Sequence, residues 1–300
     1  MCERPSEIGR SSPRKPYDVM QDSAGGARVG EGGSHGRPHR LELFALQPFP
    51  VVSRGGSLEE AFRLGIRTSG VALDDDDVLV VTHKLISRAE GATVRLSEVR
   101  PRARARWIAR LTNRDARLVE VILQQTRRLV RVSRSVILTE HLLGHVSANA
   151  GVDRSNSGED GVVCVLPSDP EGTARRLSAL ARDEYGKRVA VLVSDSHGRP
   201  FRRGTVGACI GICGFPALLD LRGQSDLFGY KLRSSVECVA DELCAAANLM
   251  MGQADEGIPV VVVRGIKWHE PGASIQEVLR PASEDIFRRG VHAAKPESSP

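Results

Sequence analysis

The sequence predicts an α+β fold of mixed sheets with packed helices, and three observations carry that reading. Short continuous apolar runs suited to buried strands recur along the chain. Segments with helical spacing and recognisable end signals separate several of them. No repeat at the periods of solenoids or propellers is present, so the elements belong to a single non-repetitive core.

Residues 1–40 hold seven Gly, four Pro and only three of Leu, Ile, Val or Phe. That is too little apolar surface to offset the entropy of ordering, and a disordered tail is expected. Order is expected from Leu41, where LELFALQPFPVV reads as a strand broken by Pro48 and Pro50. Ser57 followed by Glu60 is a capping-box pattern, and Leu58, Ala61, Phe62 and Leu64 continue an apolar helix face. The acidic turn Asp74–Asp77 launches the buried-strand run Val78–Val81.

The spacing of Trp107, Leu111, Leu118 and Ile122 predicts one helix from Ala103 to about Arg128. Further strands are expected at Ser135–Leu138, Gly161–Leu166, Val189–Val193 and Ile258–Val263. Helices are expected at about 170–185 and 237–251, the second stopped by Gly252. One folded domain over 41–285 results, and 286–300 reads as a second flexible tail.

Composition sets the class. With 41% hydrophobic and 26% charged residues the balance is that of a soluble globular chain. No run approaches the roughly 18 apolar residues of a spanning helix, and no apolar segment follows the basic N-terminus, so a cytoplasmic protein is expected. Cys2, Cys164, Cys209, Cys213, Cys238 and Cys244 match neither a zinc spacing nor a disulfide framework, which predicts reduced thiols. Ten arginines lie between Arg102 and Arg134, opposed only by Asp115 and Glu120. With 4% aromatic residues and no aromatic interleaving, this stretch reads as a solvated face, and nucleic acid is not the expected partner.

The polar chemistry concentrates in loops. Residues 148–156, ANAGVDRSN, surround Asp153 and Asn156 with small residues. Ser194–Pro200 follows the buried run Val189–Val193 and carries Asp195, Ser196 and His197. Carboxylates at the carboxyl ends of strands are where α/β proteins hold ligands. An Asp with a hydroxyl beside it also supplies the hard oxygen donors that Mg²⁺ or Mn²⁺ takes when it holds phosphates. Asp153 and Asp195 are therefore candidates for a shared metal cluster, against the alternative that each satisfies its own turn. The loop 251–259 places Gln253, Asp255 and Glu256 between glycines just before a strand. Gly204–Gly214 is either an anion-approaching glycine loop or a closely packed segment. No GxxxxGK[ST] phosphate loop occurs, and no GxSxG elbow accompanies the adjacent Ser, Asp and His of 194–197. His141 and His145 have the spacing of helical metal ligands but lack a third ligand.

The ordered blocks VVTHKLISRAEG (80–91), ANAGVDRSN (148–156), LPSDP (166–170), VSDSHGRPFRRGTVGACIG (193–211), LLDLRGQSDLFGYKL (218–232) and DELCAAANLMMGQADEGIPVVVVRG (241–265) resemble the coenzyme F420 γ-glutamyl ligase family. The resemblance runs over about residues 41–270 and implies the two-lobed ligase fold of that family. It also implies a homodimer that uses GTP to join L-glutamate to the deazaflavin precursor coenzyme F420-0 through an acyl phosphate, then adds γ-linked glutamates. Mg²⁺ or Mn²⁺ is implied at two sites, with K⁺ as an aid.

Residue by residue, the resemblance makes Asp153 and Asp195 catalytic metal ligands, joined by Ser196, where Thr is usual, and by Gln253. It assigns GTP to Phe49, Pro50, Val51, Val52, His83, Arg88 and Asn156, and to the loop Met251, Gly252, Gln253, Ala254, Asp255, Glu256, Gly257 and Ile258. His83 stands where Ser is usual, Arg88 where Lys is usual, and Gln47-Pro48 where a Gly is typical. These departures keep open a ligase of the same fold acting on another carboxylate acceptor. The arginine segment keeps open an RNA-binding protein. With about 30 residues after Ile266, the flavin-dependent reductase domain fused to some relatives is not expected.

Overall fold

The computed structural model describes residues 40–266, 272–281 and 283–285. The expected tails, Cys2 and the stretch 267–271 lie outside the described residues. The described part is α+β. In chain order it comprises β1 (Glu42–Ala45), α1 (Leu58–Ser69), β2 (Val78–Thr82), α2 (His83–Ala89), β3 (Thr93–Arg95), α3 (Ala103–Thr112) and α4 (Ala116–Gln124). There follow β4 (Thr126–Val132), β5 (Ile137–His141), β6 (Val146–Ala148), β7 (Val162–Cys164), α5 (Pro170–Tyr185) and β8 (Ala190–Gly198). The remainder is β9 (Thr205–Cys213), β10 (Leu219–Asp220), β11 (Val236–Glu237), α6 (Val239–Met251) and β12 (Val260–Arg264).

The central sheet has the order β1-β12-β2-β8-β9. Only β2 and β8 run parallel, in register Val78↔Ala190 to Thr82↔Ser194. The continuous apolar runs of β2, β8 and β12 are explained by burial on both faces. Leu79, Val81, Val191, Val193, Val260 and Val262 share one core with α1, α2 and α5, whereas Val78, Val80, Leu192, Val261 and Val263 share another with α6. A third core joins Ile108, Val119, Ile122, Ile137 and Val163 from α3, α4, β5 and β7.

Local signals explain the boundaries. Ser57 Oγ accepts the Glu60 amide at 3.1 Å and Gly70 closes α1 in the left-handed region. Ser57 Oγ in turn gives its proton to Glu59 Oε2 at 3.4 Å. The single helix expected over 103–128 is two helices. Asn113 adopts φ 52° and ends α3, and Asp115 restarts the chain as the cap of α4 by accepting the Arg117 amide at 2.8 Å. Arg128 then lies in β4, a strand the helical pattern masked.

Two glycine-containing segments also differ from expectation. Ser194–Gly198 is not loop: β8 continues because β9 pairs with it as far as Gly198↔Thr205. Asp195 thus sits within a strand. Gly204–Gly214 is largely β9, and its glycines serve packing. A Cβ on Gly207 would collide with the Cys244 carbonyl of α6, and one on Gly211 would meet Pro170 of α5 at 2.6 Å. Gly207→Ala is expected to cost about 1–3 kcal/mol in urea unfolding; an unchanged midpoint would show that α6 can yield. The register of β8 and β9 shifts between Val193↔Gly211 and Ser194↔Cys209, leaving Ile210 as a bulge.

Cys164, Cys209, Cys213, Cys238 and Cys244 are free thiols, as expected. No described helix is long and apolar enough to cross a membrane.

Candidate active site

Beyond Thr82 and Ser194 the parallel pair separates: β2 gives way to α2, whereas β8 runs on with a free edge. A cavity of about 270 Å³ opens there, at the carboxyl ends of parallel strands. Its walls are the segment Phe49–Val52 after β1, the start of α2 with Arg88 one turn on, Asn156, Ser194–Ser196 of β8, Asn248 of α6 and the loop Met251–Pro259. The family resemblance implies GTP contacts for Phe49, Pro50, Val51, Val52, His83, Arg88, Asn156 and 251–258, and the fold brings all of these residues to this one cavity.

The loop 251–258 is fastened from several sides. Asn156 Nδ2 donates to the Ala254 carbonyl at 3.0 Å, and Gln47 Nε2 to the Glu256 carbonyl at 3.2 Å. Glu256 folds back so that its Oε2 accepts the Ala254 amide at 2.8 Å. Amides of Glu256 itself, Ala254 and Gln253 draw that carboxyl below the usual range against the push of burial. The loop's own carboxylate thus takes up its backbone donors.

Asp195 stands on the cavity edge with its side chain 10% exposed. Oδ1 accepts the Ser196 amide at 2.7 Å and Oδ2 meets His197 Nε2 at 3.0 Å. His83 Nε2 lies 3.2 Å from Oδ1, off hydrogen-bond alignment. Ser87 Oγ gives its proton to the Val165 carbonyl at 2.7 Å, so it accepts from His83 Nδ1 at 3.3 Å and orients the ring. Burial pushes the Asp195 carboxyl up, but His83 and His197 overcome that push and hold it well below the usual carboxylate range. His197 is in turn raised by Asp195 against the opposing effect of burial.

On the other face of β8, Gln253 Nε2 donates to Ser196 Oγ at 2.8 Å and to Asn248 Oδ1 at 2.9 Å. Asp195, Ser196 and Gln253 are thus brought together as neighbours of one cavity. Asp153 is not among its lining residues. It stands behind Lys84, whose Nζ lies 2.7 Å from Asp153 Oδ2 and 2.6 Å from Ser155 Oγ. Burial opposes ionisation of Asp153, but Lys84 and the Ser155 amide and hydroxyl draw its pKa below the usual range. Among the described residues no three His, Cys, Asp or Glu side chains are arranged to hold a metal. Asp153 and Asp195 each have partners of their own, Lys84 and Ser155 for the first and the Ser196 amide and His197 for the second.

Residues 48–265 match the family model described as F420-0:Gamma-glutamyl ligase. The chain belongs to this ligase family. It is 41% identical to the coenzyme F420:L-glutamate ligase of Methanopyrus kandleri, the match covering 83% of this chain and 99% of that protein. It is likewise 41% identical to the protein of that name from Archaeoglobus fulgidus, over 83% of this chain and 97% of the relative. The coenzyme F420:L-glutamate ligase of Methanothermobacter thermautotrophicus is 38% identical, over 83% of this chain and 99% of its own length.

Sequence reasoning missed two polar residues that line this cavity. Lys84 was hidden between two singled-out positions, although a lysine opening a helix after a buried strand is a usable signal. Asn248 lies inside the apolar pattern of α6, where its placement four residues before Gly252 was the available sign. His141 and His145 are not on a helix: His141 ends β5 and His145 precedes β6. Burial pulls each down to about 4, so both are neutral in the folded protein at pH 7.

The stability consequence has a definite sign. The unfolded chain takes up these protons near pH 6.5 and the folded chain only near 4, so their stabilisation is complete above about pH 6.5 and is lost as pH falls toward 4. His145→Phe is expected to lessen the fall in urea-unfolding free energy between pH 7.5 and pH 5. Parallel pH profiles for the variant and the parent would refute this.

The arginine stretch is partly absorbed by local pairs. Arg102 lies 3.7 Å from Glu120, Arg117 2.8 Å from Asp115, and Arg128 3.0 Å from Glu140.

Proposed function

We propose that this family member is a cytoplasmic, homodimeric ligase that uses GTP to join L-glutamate to coenzyme F420-0, and then adds further glutamates through γ-linkages. The observation that carries the reading is the convergence of Phe49–Val52, His83, Arg88, Asn156 and 251–258 on one cavity beside Asp195.

The chemistry asks that an acceptor carboxylate and a γ-phosphate, both anionic, be held in line so that an acyl phosphate forms and the glutamate amine displaces phosphate. Lys84 and Arg88 bring positive charge to the cavity. Asp195, Ser196 Oγ, Asn248 Oδ1 and the Gln253 side-chain amide supply hard oxygen donors of the kind Mg²⁺ or Mn²⁺ prefers. Of the two expected divalent ions, Asp195 would hold one, with Asp153 joining once Lys84 turns to phosphate, and Ser196 with Gln253 would hold the other. The ions would offset the repulsion of the two anions, with K⁺ as an accessory.

The test is incubation of the purified protein with F420-0, L-glutamate, GTP and either metal, followed by mass spectrometry. Stepwise gain of glutamate with matching GDP release is expected, and chelation should stop it. GTP turnover without any glutamylated deazaflavin would point to a different acceptor. Absence of both would sink the reading.

A further inference from the structure

The hairpin that carries Asp195 continues beyond the cavity to a strongly basic tip. Between Asp195 and Asp220 the sequence has no acidic residue, yet Arg199, Arg202 and Arg203 fall within five positions at the β8–β9 turn. None of the three makes an ion pair among the described residues, whereas Arg222 at the far end of the same segment is paired with Asp220. Arg199 Nε is buried with no hydrogen-bond partner. An unpaired buried donor on a cation is costly unless an anion meets it. Phe201, at the apex, is held at φ 60°, a left-handed conformation uncommon for an aromatic residue.

Position along the strand connects this tip to the cavity. Asp195 and His197 lie on one side of β8 by its two-residue alternation, and Arg199 directly follows the last strand residue, roughly 13 Å along the chain from Asp195. Each γ-linkage consumes one side-chain carboxylate and leaves the α-carboxylate of that glutamate free. A lengthening tail therefore gains one spare carboxylate per addition, close to a group of guanidinium donors suited to paired carboxylate recognition. We propose that Arg199, Arg202 and Arg203 form a tail subsite that binds the free α-carboxylates of γ-linked glutamate and so governs how many are added. The proposal rests on the ligase reading above and deepens it.

The experiment uses the full chain and two probes. Titration with γ-linked triglutamate by calorimetry at fixed ionic strength should show binding to the parent protein. It should show at least about tenfold weaker binding to Arg199→Gln and to the double variant Arg202→Gln/Arg203→Gln. GTP titration and thermal unfolding of each variant establish that it is folded. In turnover, the ratio of kcat/KM for diglutamylated over unglutamylated acceptor should fall in both variants, and the product distribution should shorten. Absence of triglutamate binding by the parent, or equal losses on both acceptors, would overturn the subsite. Failure of the parent to glutamylate any F420 acceptor would instead overturn the ligase reading, and the triglutamate titration would still decide the subsite by itself.

Discussion

Asp195→Asn should abolish glutamate transfer, lowering kcat/KM by at least about a thousandfold. The substitution keeps the shape of the side chain and removes its charge. In the parent protein that charge faces His197 at 3.0 Å and His83 at 3.2 Å, and the carboxyl is held well below the usual carboxylate range. An amide in its place offers one weaker oxygen to a divalent ion and leaves the two imidazoles without their partner. The informative measurement pairs mass-spectrometric turnover with GTP titration of the same preparation. Loss of turnover with nucleotide binding retained assigns Asp195 to the chemical step. Activity within about tenfold of the parent would remove it from the machinery, because loss of so central a charge is not tolerated at a phosphoryl-transfer site.

The largest stability effect is expected far from the chemistry, at Arg264→Leu. Asp77 is fully buried, and Arg264 meets it with Nε at 2.8 Å and Nη2 at 2.7 Å. Asp77 also accepts the Asp74 amide at 2.8 Å, and Arg264 reaches the Ala72 carbonyl and covers the Phe44 ring. Removing the guanidinium leaves a carboxylate without its counter-charge in the interior, at a cost of about 3–5 kcal/mol. Urea unfolding at neutral pH reads this directly. Arg264→Lys should fall between parent and Leu variant, because it restores charge without the two-pronged geometry. A loss below about 1 kcal/mol for Arg264→Leu would mean that water reaches Asp77 once the guanidinium is gone.

How far the sequence could be read depended on where each element finds its partners. The strands β2 and β12, buried on both faces, and the helices α5 and α6, with proline or glycine at their ends, were legible because their signals are local. The continuation of β8 through Ser194–Gly198 was not, since those residues are polar and are strand only because β9 pairs with them. β4 was lost for a similar reason: its arginines extended an apparent helical spacing, and the break at Asn113 is a backbone choice that the apolar pattern does not register. For the site, composition and spacing reached Asp195, Ser196, Asp153 and the loop at 251–259. The segment Phe49–Val52 came only through resemblance, because nothing in four apolar residues around a proline marks a ligand. Lys84 and Asn248 are absorbed in helices, and their roles appear only when α2 and α6 are seen to end on the same cavity.

The bulge at Ile210 sets the phase of β9 between the two helices that flank it. Ile210 and Gly211 fall on the α5 side together, after which Cys209 and Gly207 take the α6 side. The partner strand keeps strict alternation, so Ser196 points toward Asn248 on α6 while Asp195 points toward the histidines. Deleting Ile210 would shift β9 by half a pleat and bring Val206 or Ala208 to the place beside the Cys244 carbonyl where only a bare Cα fits. One extra residue in β9 thus lets a single strand set Gly211 against α5 and Gly207 against α6, although strict alternation would put two positions four apart on the same side.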